Sequence, residues 1–160
     1  MRAAREGVAE LEVAAPVRAA RSITVRRPIE EVFQFLADPS RLASWDGVAL
    51  DPGWTTVPAA EIGAQYEYEI DRDGRRQLVT SEVIAYEPPS RLGWFSYAGA
   101  WREITRITLE RDGDSTVICL RRLRVDAEPC VEPTATELDR LLVALRDELE
   151  RGLPPVEGWA

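Results

Sequence analysis

The amino-acid sequence predicts an α+β fold with seven strands in an antiparallel sheet, two short helices between strands 1 and 2, and one long C-terminal helix that packs on the sheet. Three observations lead to this prediction. From residue 48 to 126, apolar and polar residues alternate in segments separated by turn residues. Residues 133–151 instead repeat apolar side chains at helical spacing. Between residues 28 and 45, proline and acidic residues begin short helical stretches.

The length indicates a single domain. A chain of 160 residues can bury a core and leave room for an internal cavity. We assign residues 13–153 to this domain and expect residues 1–12 to form a disordered leader and residues 154–160 a tail. The leader mixes Arg and Glu and contains no apolar run long enough for a signal peptide or a transmembrane segment.

The first elements follow from local signals. Alternating apolar residues within 11–26 predict the first strand. Pro28 can occupy the first turn of a helix, and the two glutamates after it suit the positive N-terminal end. The Asp-Pro-Ser sequence at 38–40 restarts a second short helix that runs toward Trp45.

The remaining strands form a sequential antiparallel series. Turn sequences that end at Gly74 and contain Gly113 read as hairpin connections, and Glu87-Pro-Pro-Ser90 closes another. The six predicted strands are 48–57, 64–72, 76–86, 91–98, 100–111 and 115–125.

The long helix is predicted from about Pro133 to Arg151. Thr134 or Thr136 can cap its start, and Gly152 ends it. Its apolar stripe must pack on something large and consists of Leu138, Leu141, Leu142, Leu145 and Leu149.

Composition excludes several function classes. The net charge of −8 and the pI near 4.7 disfavour nucleic-acid binding and an anionic membrane surface. The complete absence of His removes the serine triad and most zinc sites, so we expect neither a metal nor an organic cofactor. Cys119 and Cys130 form no disulfide framework, which favours a reducing, cytoplasmic location.

The text at residues 23–45, ITVRRPIEEVFQFLADPSRLASW, resembles the opening of the START-like (SRPBCC) superfamily. It combines a strand, a Pro-initiated helix with Val-Phe, an Asp-Pro break and a Trp seven residues after the Asp. The resemblance covers about 17–152 and continues in SEVIAYEPPSRLGW at 81–94. It implies a helix-grip fold, in which a curved antiparallel sheet of seven strands wraps around the long C-terminal helix and leaves a cavity. The relatives it implies include polyketide cyclases and aromatases, lipid or quinone carriers, hormone-like ligand receptors and heat-shock-protein activators. Fold alone does not choose among these functions.

Strand alternation predicts which side chains face the cavity. In 64–72 the inner set is Tyr66, Tyr68 and Ile70; in 76–86 we favour Val79, Ser81 and Val83, although the other set is also apolar. In 91–98 we place Phe95 and Tyr97 inside, in preference to Leu92 and Trp94. In 100–111 the inner set is Trp101, Glu103, Thr105, Ile107 and Leu109.

The last strand is ambiguous. One set carries Ile118 and Leu120 into Arg122 and Arg124, whereas the alternate set surrounds Arg121. A β-bulge would reconcile the two sets. An inward Arg could bind a carboxylate, a phosphate or an enolate oxygen.

Glu103 is the strongest candidate for chemistry, because a carboxyl group among apolar neighbours can move protons near neutral pH. The alternative is a structural Glu at the cavity rim paired with an Arg. We assign proton transfer to Glu103, carbonyl polarisation to Tyr97 or Tyr68, and enolate stabilisation to Arg122. The predicted ligand-binding set is Trp45, Trp54, Tyr66, Tyr68, Ser81, Val83, Phe95, Trp101, Ile107, Leu120, Leu138 and Leu142.

Three functions remain open. The first is a cofactor-independent polyketide cyclase or dehydratase of secondary metabolism, and the second is a non-catalytic carrier or sensor of a lipid, a quinone or a natural product. The third is an interaction module whose tryptophans fill the core. The expected partner is a hydrophobic small molecule bound by a monomer or homodimer, without nucleic acid and without stable membrane insertion.

Overall fold

The computed structural model describes residues 17–46, 49–54, 61–72, 74–125 and 135–154, with backbone only at 17, 18, 50–54, 72 and 125. The elements in chain order are β1 (Val17–Val25), α1 (Ile29–Ala37), a 3₁₀ turn (Pro39–Arg41), α2 (Leu42–Trp45), β2 (Leu50–Trp54), β3 (Gln65–Arg72), β4 (Arg75–Glu87), β5 (Arg91–Ala98), β6 (Trp101–Asp112), β7 (Ser115–Val125) and α3 (Ala135–Leu149). The predicted leader at 1–12 lies outside the described residues, as does the predicted tail after Pro154.

The strands form one antiparallel sheet in the order β1-β7-β6-β5-β4-β3-β2. The predicted α+β class, with a curved antiparallel sheet and a C-terminal helix, is confirmed. β1 lies at one edge of the sheet beside β7, so the first and last strands of the described residues are neighbours. None of the helices in the described ranges is long and apolar enough to cross a bilayer.

The short helices form where the sequence predicts them. Pro28 precedes α1, and Glu30 and Glu31 lie in its first turn, where carboxylates complement the helix dipole. Asp38 ends α1 and caps the 3₁₀ turn, because its side-chain Oδ1 accepts a hydrogen bond from the Ser40 backbone N–H at 3.0 Å. The inner side of α1 buries Ile29, Val32, Phe33 and Leu36.

The long helix α3 buries the whole predicted leucine stripe. Two arginines that follow β1 hold its C-terminal end. Arg27 Nε donates to the Leu149 carbonyl at 2.6 Å, and Arg26 Nε contacts Glu150 Oε1 at 2.5 Å. Cationic side chains at this position satisfy unpaired carbonyls and complement the negative end of the helix dipole.

The prediction for β5 is wrong. Leu92, Trp94, Ser96 and Ala98 are buried, whereas Phe95 is only half-buried and Tyr97 is 37% exposed. Pairing explains the difference, because Phe95 lies opposite Glu82 and Tyr97 opposite Thr80 on the outer face of β4. Arg102 covers the outer side of the Tyr97 ring, with 5.5 Å from its guanidinium carbon to the ring centroid.

The strand β7 pairs regularly with both neighbours, so the predicted β-bulge is absent from it. Ile118, Leu120, Arg122 and Arg124 all face inward. The bulges of the sheet lie instead between β2 and β3 and between β4 and β5.

Candidate ligand-binding site

A row of polar side chains crosses the inner face of the sheet. Cross-strand pairing places Tyr66 opposite Ser81, Ser81 opposite Ser96, Ser96 opposite Glu103, and Glu103 opposite Arg124. We call these five residues the polar row. All five are buried on a face that is otherwise mostly apolar. Buried polar groups need partners, so their contacts determine what the row can do.

Hydroxyl groups form one end of the site. The Ser81 and Ser96 Oγ atoms lie 2.7 Å apart, within hydrogen-bonding distance. Ser81 also hydrogen-bonds Tyr66, and Ser96 hydrogen-bonds Tyr68, whose ring stacks on that of Tyr66 with a centroid distance of 6.2 Å. Burial raises the pKa of both phenols, because the phenolate would lose its hydration. The two tyrosines therefore stay neutral and can donate hydrogen bonds.

An ion pair forms the other end. Arg124 directs Nε and Nη2 at Glu103 Oε2, at 2.9 and 2.6 Å. Arg122 approaches the second carboxylate oxygen, with 3.4 Å between Nε and Oε1. Glu103 therefore lies between two guanidinium groups, and the structural alternative considered from sequence, a Glu paired with an Arg, is the arrangement found.

Two further carboxylates complete this ionic cluster. Asp46, directly after α2, lies 3.7 Å from Arg122, and Glu137 of α3 lies 3.7 Å from both arginines. Burial opposes the charge of Arg122, but Glu103 and then Asp46 outweigh it and raise the pKa of this guanidinium. The cluster thus ties β6 and β7 to the end of α2 and the start of α3.

The charges of the cluster are nearly balanced. Its described members are the carboxylates Asp46, Glu103 and Glu137 and the guanidinium groups Arg122 and Arg124. Both arginines are committed to carboxylates, so this site does not offer a free cation to an anionic ligand. It offers polarised hydrogen-bonding groups next to neutral phenols.

A small cavity of about 20 Å³ lies beside Tyr66, between the sheet and the α1–α2 region. This volume is on the scale of one water molecule. The residues that line it include Trp45, Val83, Leu92 and Trp94. Of these, Trp45 and Val83 belong to the predicted ligand-binding set.

Most predicted site residues reach the interior. The buried members of the predicted set are Trp45, Tyr66, Tyr68, Ser81, Val83, Trp101, Glu103, Ile107, Leu120, Arg122, Leu138 and Leu142. Phe95 and Tyr97 lie on the outer face, so the structure separates Tyr97 from the other two predicted catalytic residues. The Trp54 side chain lies outside the described atoms.

Sequence reasoning missed Ser96, Arg124, Asp46 and Glu137 as members of the site. For Ser96 the signal was available, since it shares the face of Leu92 and Trp94. Arg124 follows Arg122 at the two-residue spacing of a strand face. Asp46 and Glu137 gave no comparable signal, because their partners on β6 and β7 are distant in sequence.

Comparison with known proteins places the chain among proteins of this architecture. The family described as polyketide cyclase / dehydrase and lipid transport matches residues 16–153. An uncharacterized protein of Mycobacterium tuberculosis is 27% identical over 150 residues, which is 87% of this chain and 67% of the relative.

Solved structures agree on the fold. A START superfamily protein from Mycobacterium smegmatis aligns with a TM-score of 0.68 at 14% identity, over 84% of this chain and 97% of its own. A major latex-like protein of Panax ginseng aligns with a TM-score of 0.69 at 10% identity, over 87% and 99% of the two chains. At these identities the likeness establishes the fold alone.

Proposed function

Since the chain belongs to the polyketide cyclase / dehydrase and lipid transport family, we propose that it binds a hydrophobic, planar, oxygen-bearing small molecule against the inner face of its sheet. The polar row is the observation that carries this proposal. A ligand with aromatic rings and several oxygens matches stacked tyrosines beside serine hydroxyls and an ion pair.

The buried charges argue against a purely aliphatic ligand. A ligand that covers charged groups removes them from water, which costs free energy. A hydrocarbon chain cannot offset this cost, because it makes no hydrogen bonds. Thr105, beside Arg122 in the sheet pairing, adds a fully buried hydroxyl with no hydrogen-bond partner among the described residues. An oxygenated ligand or a water molecule would satisfy it.

Binding requires movement. Because the cavity beside Tyr66 has the volume of about one water molecule, a larger ligand has to displace the helices from the sheet. Trp45, which ends α2 and lines this cavity, is the natural side chain to move first.

The test uses two tyrosines on opposite faces of the sheet. We choose emodin, a hydroxylated anthraquinone, as the planar oxygenated probe and the uncharged alcohol 1-dodecanol as the aliphatic comparison, measured by calorimetry. Emodin should bind at least tenfold more tightly than 1-dodecanol. Tyr68→Phe should weaken emodin binding about three- to tenfold, because it removes one hydrogen bond. The matched control Tyr97→Phe should bind as the native protein does.

Two outcomes would contradict this proposal. Tighter binding of 1-dodecanol would favour an aliphatic carrier. Equal losses of emodin affinity in Tyr68→Phe and Tyr97→Phe would show that emodin does not bind to the inner face.

A second candidate function is catalysis of aldol cyclisation followed by dehydration. The proximity of Glu103, Arg122 and Tyr68 favours it. Arg122 Nε lies 3.4 Å from Glu103 Oε1. Both charges act on the Tyr68 phenol, since Arg122 lowers its pKa and Glu103 raises it. This version replaces the misplaced Tyr97 with Tyr68, and it needs no metal or organic cofactor.

In this mechanism, Glu103 removes a proton from a carbon between two carbonyl groups of the substrate. Once Glu103 has taken up this proton it is neutral, so Arg122 exchanges its contact with Glu103 for the enolate oxygen. The Tyr68 hydroxyl polarises the carbonyl that the enolate carbon attacks. The new carbon–carbon bond closes the ring, and the π bond of the attacked carbonyl becomes an alkoxide, which takes back the proton held by Glu103. Glu103 then removes a second proton from the same carbon, the hydroxyl group leaves, and the two are released as water while a carbon–carbon double bond forms in the ring.

The assay is ring formation from an N-acetylcysteamine thioester of a poly-β-ketone, followed by ultraviolet absorbance. Glu103→Gln should abolish turnover, while circular dichroism and emodin binding show that the variant still folds. Turnover unchanged by this substitution would refute the catalytic assignment and leave the binding proposal intact. A cytoplasmic location and a monomeric or homodimeric state belong to the proposal and are checked by fractionation and by light scattering.

A further inference from the structure

The outer face of the sheet carries a groove of about 500 Å³ across β1, β7 and β6. Its lining residues are Ala19, Ala20, Ile104, Arg106, Arg121, Arg122 and Leu123. Ala20, Ile104, Arg106, Arg121 and Leu123 have side chains on the face opposite the polar row, whereas Ala19 and Arg122 alternate with them along β1 and β7 and belong to the inner face. The volume is in the range of small-molecule sites, which span roughly 300–1,000 Å³.

Two arginines oppose each other in this groove. Arg106 of β6 pairs directly with Arg121 of β7, and both are exposed. Like charges directly opposite on one face destabilise a sheet. Neither guanidinium has a carboxylate within 4.0 Å among the residues that the structure describes.

Exposed arginines of the chain differ in their partners. Arg76 and Arg111 contact glutamates at 3.1 and 2.6 Å, whereas Arg140, like Arg106 and Arg121, has no carboxylate within 4.0 Å among the described residues. The whole chain has a net charge of −8, so carboxylates are plentiful. Arg106 and Arg121 oppose each other without a carboxylate partner in the described ranges, so a single anion can contact both guanidinium groups.

The flanks of the arginine pair are open. Ala20 lies beside Arg121 on β1, and Gly93 lies beside Arg106 on β5, so neither neighbour has a side chain long enough to cover a guanidinium group. The next pair on the same face is Ile104 opposite Leu123, and these two side chains provide a half-buried apolar surface. A charged end and an apolar end thus adjoin within one groove.

We propose that this outer groove binds a small amphiphilic anion, with its charged oxygens between Arg106 and Arg121 and its apolar part on Ile104 and Leu123. The bound anion offsets the repulsion between the arginines. The strongly negative chain disfavours an anionic membrane as the occupant, and the volume of the groove suits a small molecule. The four residues assigned to the anion all lie on the outer face, so the proposal does not rest on the proposed function.

The experiment is a titration of the full chain with octyl phosphate, followed by methyl NMR. Ile104 and Leu123 form an outer pair, and Ile107 and Leu120 form an inner pair on the same two strands. Octyl phosphate should shift the outer methyl signals and leave the inner ones unchanged. Inorganic phosphate and neutral octyl glucoside should each bind at least tenfold more weakly, since each supplies half of the recognition.

Three variants and one control complete the test. Arg106→Gln and Arg121→Gln should each weaken octyl phosphate binding about tenfold, the usual scale for a charge-assisted hydrogen bond. Ala20→Phe keeps both charges and should weaken binding by filling the groove. The control Arg76→Gln removes an exposed arginine elsewhere on the sheet and should have no effect.

Several results would overturn this proposal. One is an affinity for octyl phosphate that is unchanged in both arginine variants. A second is a set of NMR shifts confined to Ile107 and Leu120. A third is an affinity for octyl glucoside equal to that for octyl phosphate. Co-sedimentation of the protein with phosphatidylglycerol vesicles, lost in Arg121→Gln, would identify a membrane surface instead of a small molecule.

Discussion

The buried pair of Glu103 and Arg124 allows a quantitative test of the ionic cluster. Their side chains are 5 and 8% exposed, and the shortest contact is 2.6 Å. Removing one partner of a buried pair leaves the other charge uncompensated and costs about 3–5 kcal/mol. Arg122 and Glu137 remain close to the surviving partner, so we expect about 3 kcal/mol for Glu103→Gln or Arg124→Met alone.

The assay is a double-mutant cycle by urea unfolding, followed by circular dichroism. If the pair acts as a unit, the double variant should lose about 4 kcal/mol instead of about 6, which gives a coupling energy of about 2 kcal/mol. Each single variant should lower the melting temperature by about 6–12 °C, given about 2–4 °C per kcal/mol for a domain of this size.

A control pair comes from the exposed surface. Arg76 and Glu69 lie 3.1 Å apart, but their side chains are 66 and 38% exposed. Their coupling energy should stay below about 0.5 kcal/mol, because water screens the attraction. A buried coupling no larger than this surface value would refute the reasoning, since it would mean that burial adds nothing to the interaction of Glu103 with Arg124.

Three further predictions follow. The raised pKa values of Tyr66 and Tyr68 mean that the folded protein keeps protons that the unfolded chain releases at about pH 10. The free energy of unfolding should therefore be retained below that pH and fall as the pH rises above it, less steeply in Tyr68→Phe. If urea unfolding gives the same dependence on pH for both proteins, this prediction is wrong. Arg27→Met should cost about 1–2 kcal/mol, because it removes the cation at the C-terminal end of α3, whereas exposed Arg75→Met should be neutral in the same melts. Leu142→Ala, at a fully buried position of the helix stripe, should cost about 2–5 kcal/mol, and the exposed control Val143→Ala should cost far less.

The sequence was sufficient for the elements and for most burial patterns. The segment from Pro28 to Trp45 contains its own start and stop signals, and strands such as β3 have one apolar face and one charged face. Local information therefore determined both the boundaries and the orientation.

The orientation of β5 could not be obtained in this way. Both of its faces are apolar, so alternation alone cannot choose between Phe95 with Tyr97 and Leu92 with Trp94. Register decides, because Ser96 pairs with Ser81 and brings two buried hydroxyls together. An outward aromatic ring is also less unfavourable than the prediction assumed, since Arg102 covers Tyr97.

The inner arginines illustrate the same limit. A strand that changes from Ile118 and Leu120 to Arg122 and Arg124 looks inconsistent when it is considered alone. Its partners come from Asp46, Glu103 and Glu137, on three other parts of the chain. The spacing of residues within one strand cannot predict ion pairs with residues that are distant in sequence. For this reason Arg124 was not recognised as a site residue.

The two ends of α3 are attached in different ways. The C-terminal end is held by short hydrogen bonds from Arg26 and Arg27, including one to a backbone carbonyl. Near its start, Glu137 reaches the sheet through contacts of 3.7 Å to Arg122 and Arg124. The start of α3 is therefore attached to the sheet through charge, and a ligand that displaces Glu137 from Arg122 or Arg124 would weaken this attachment while the C-terminal end stays held by Arg26 and Arg27.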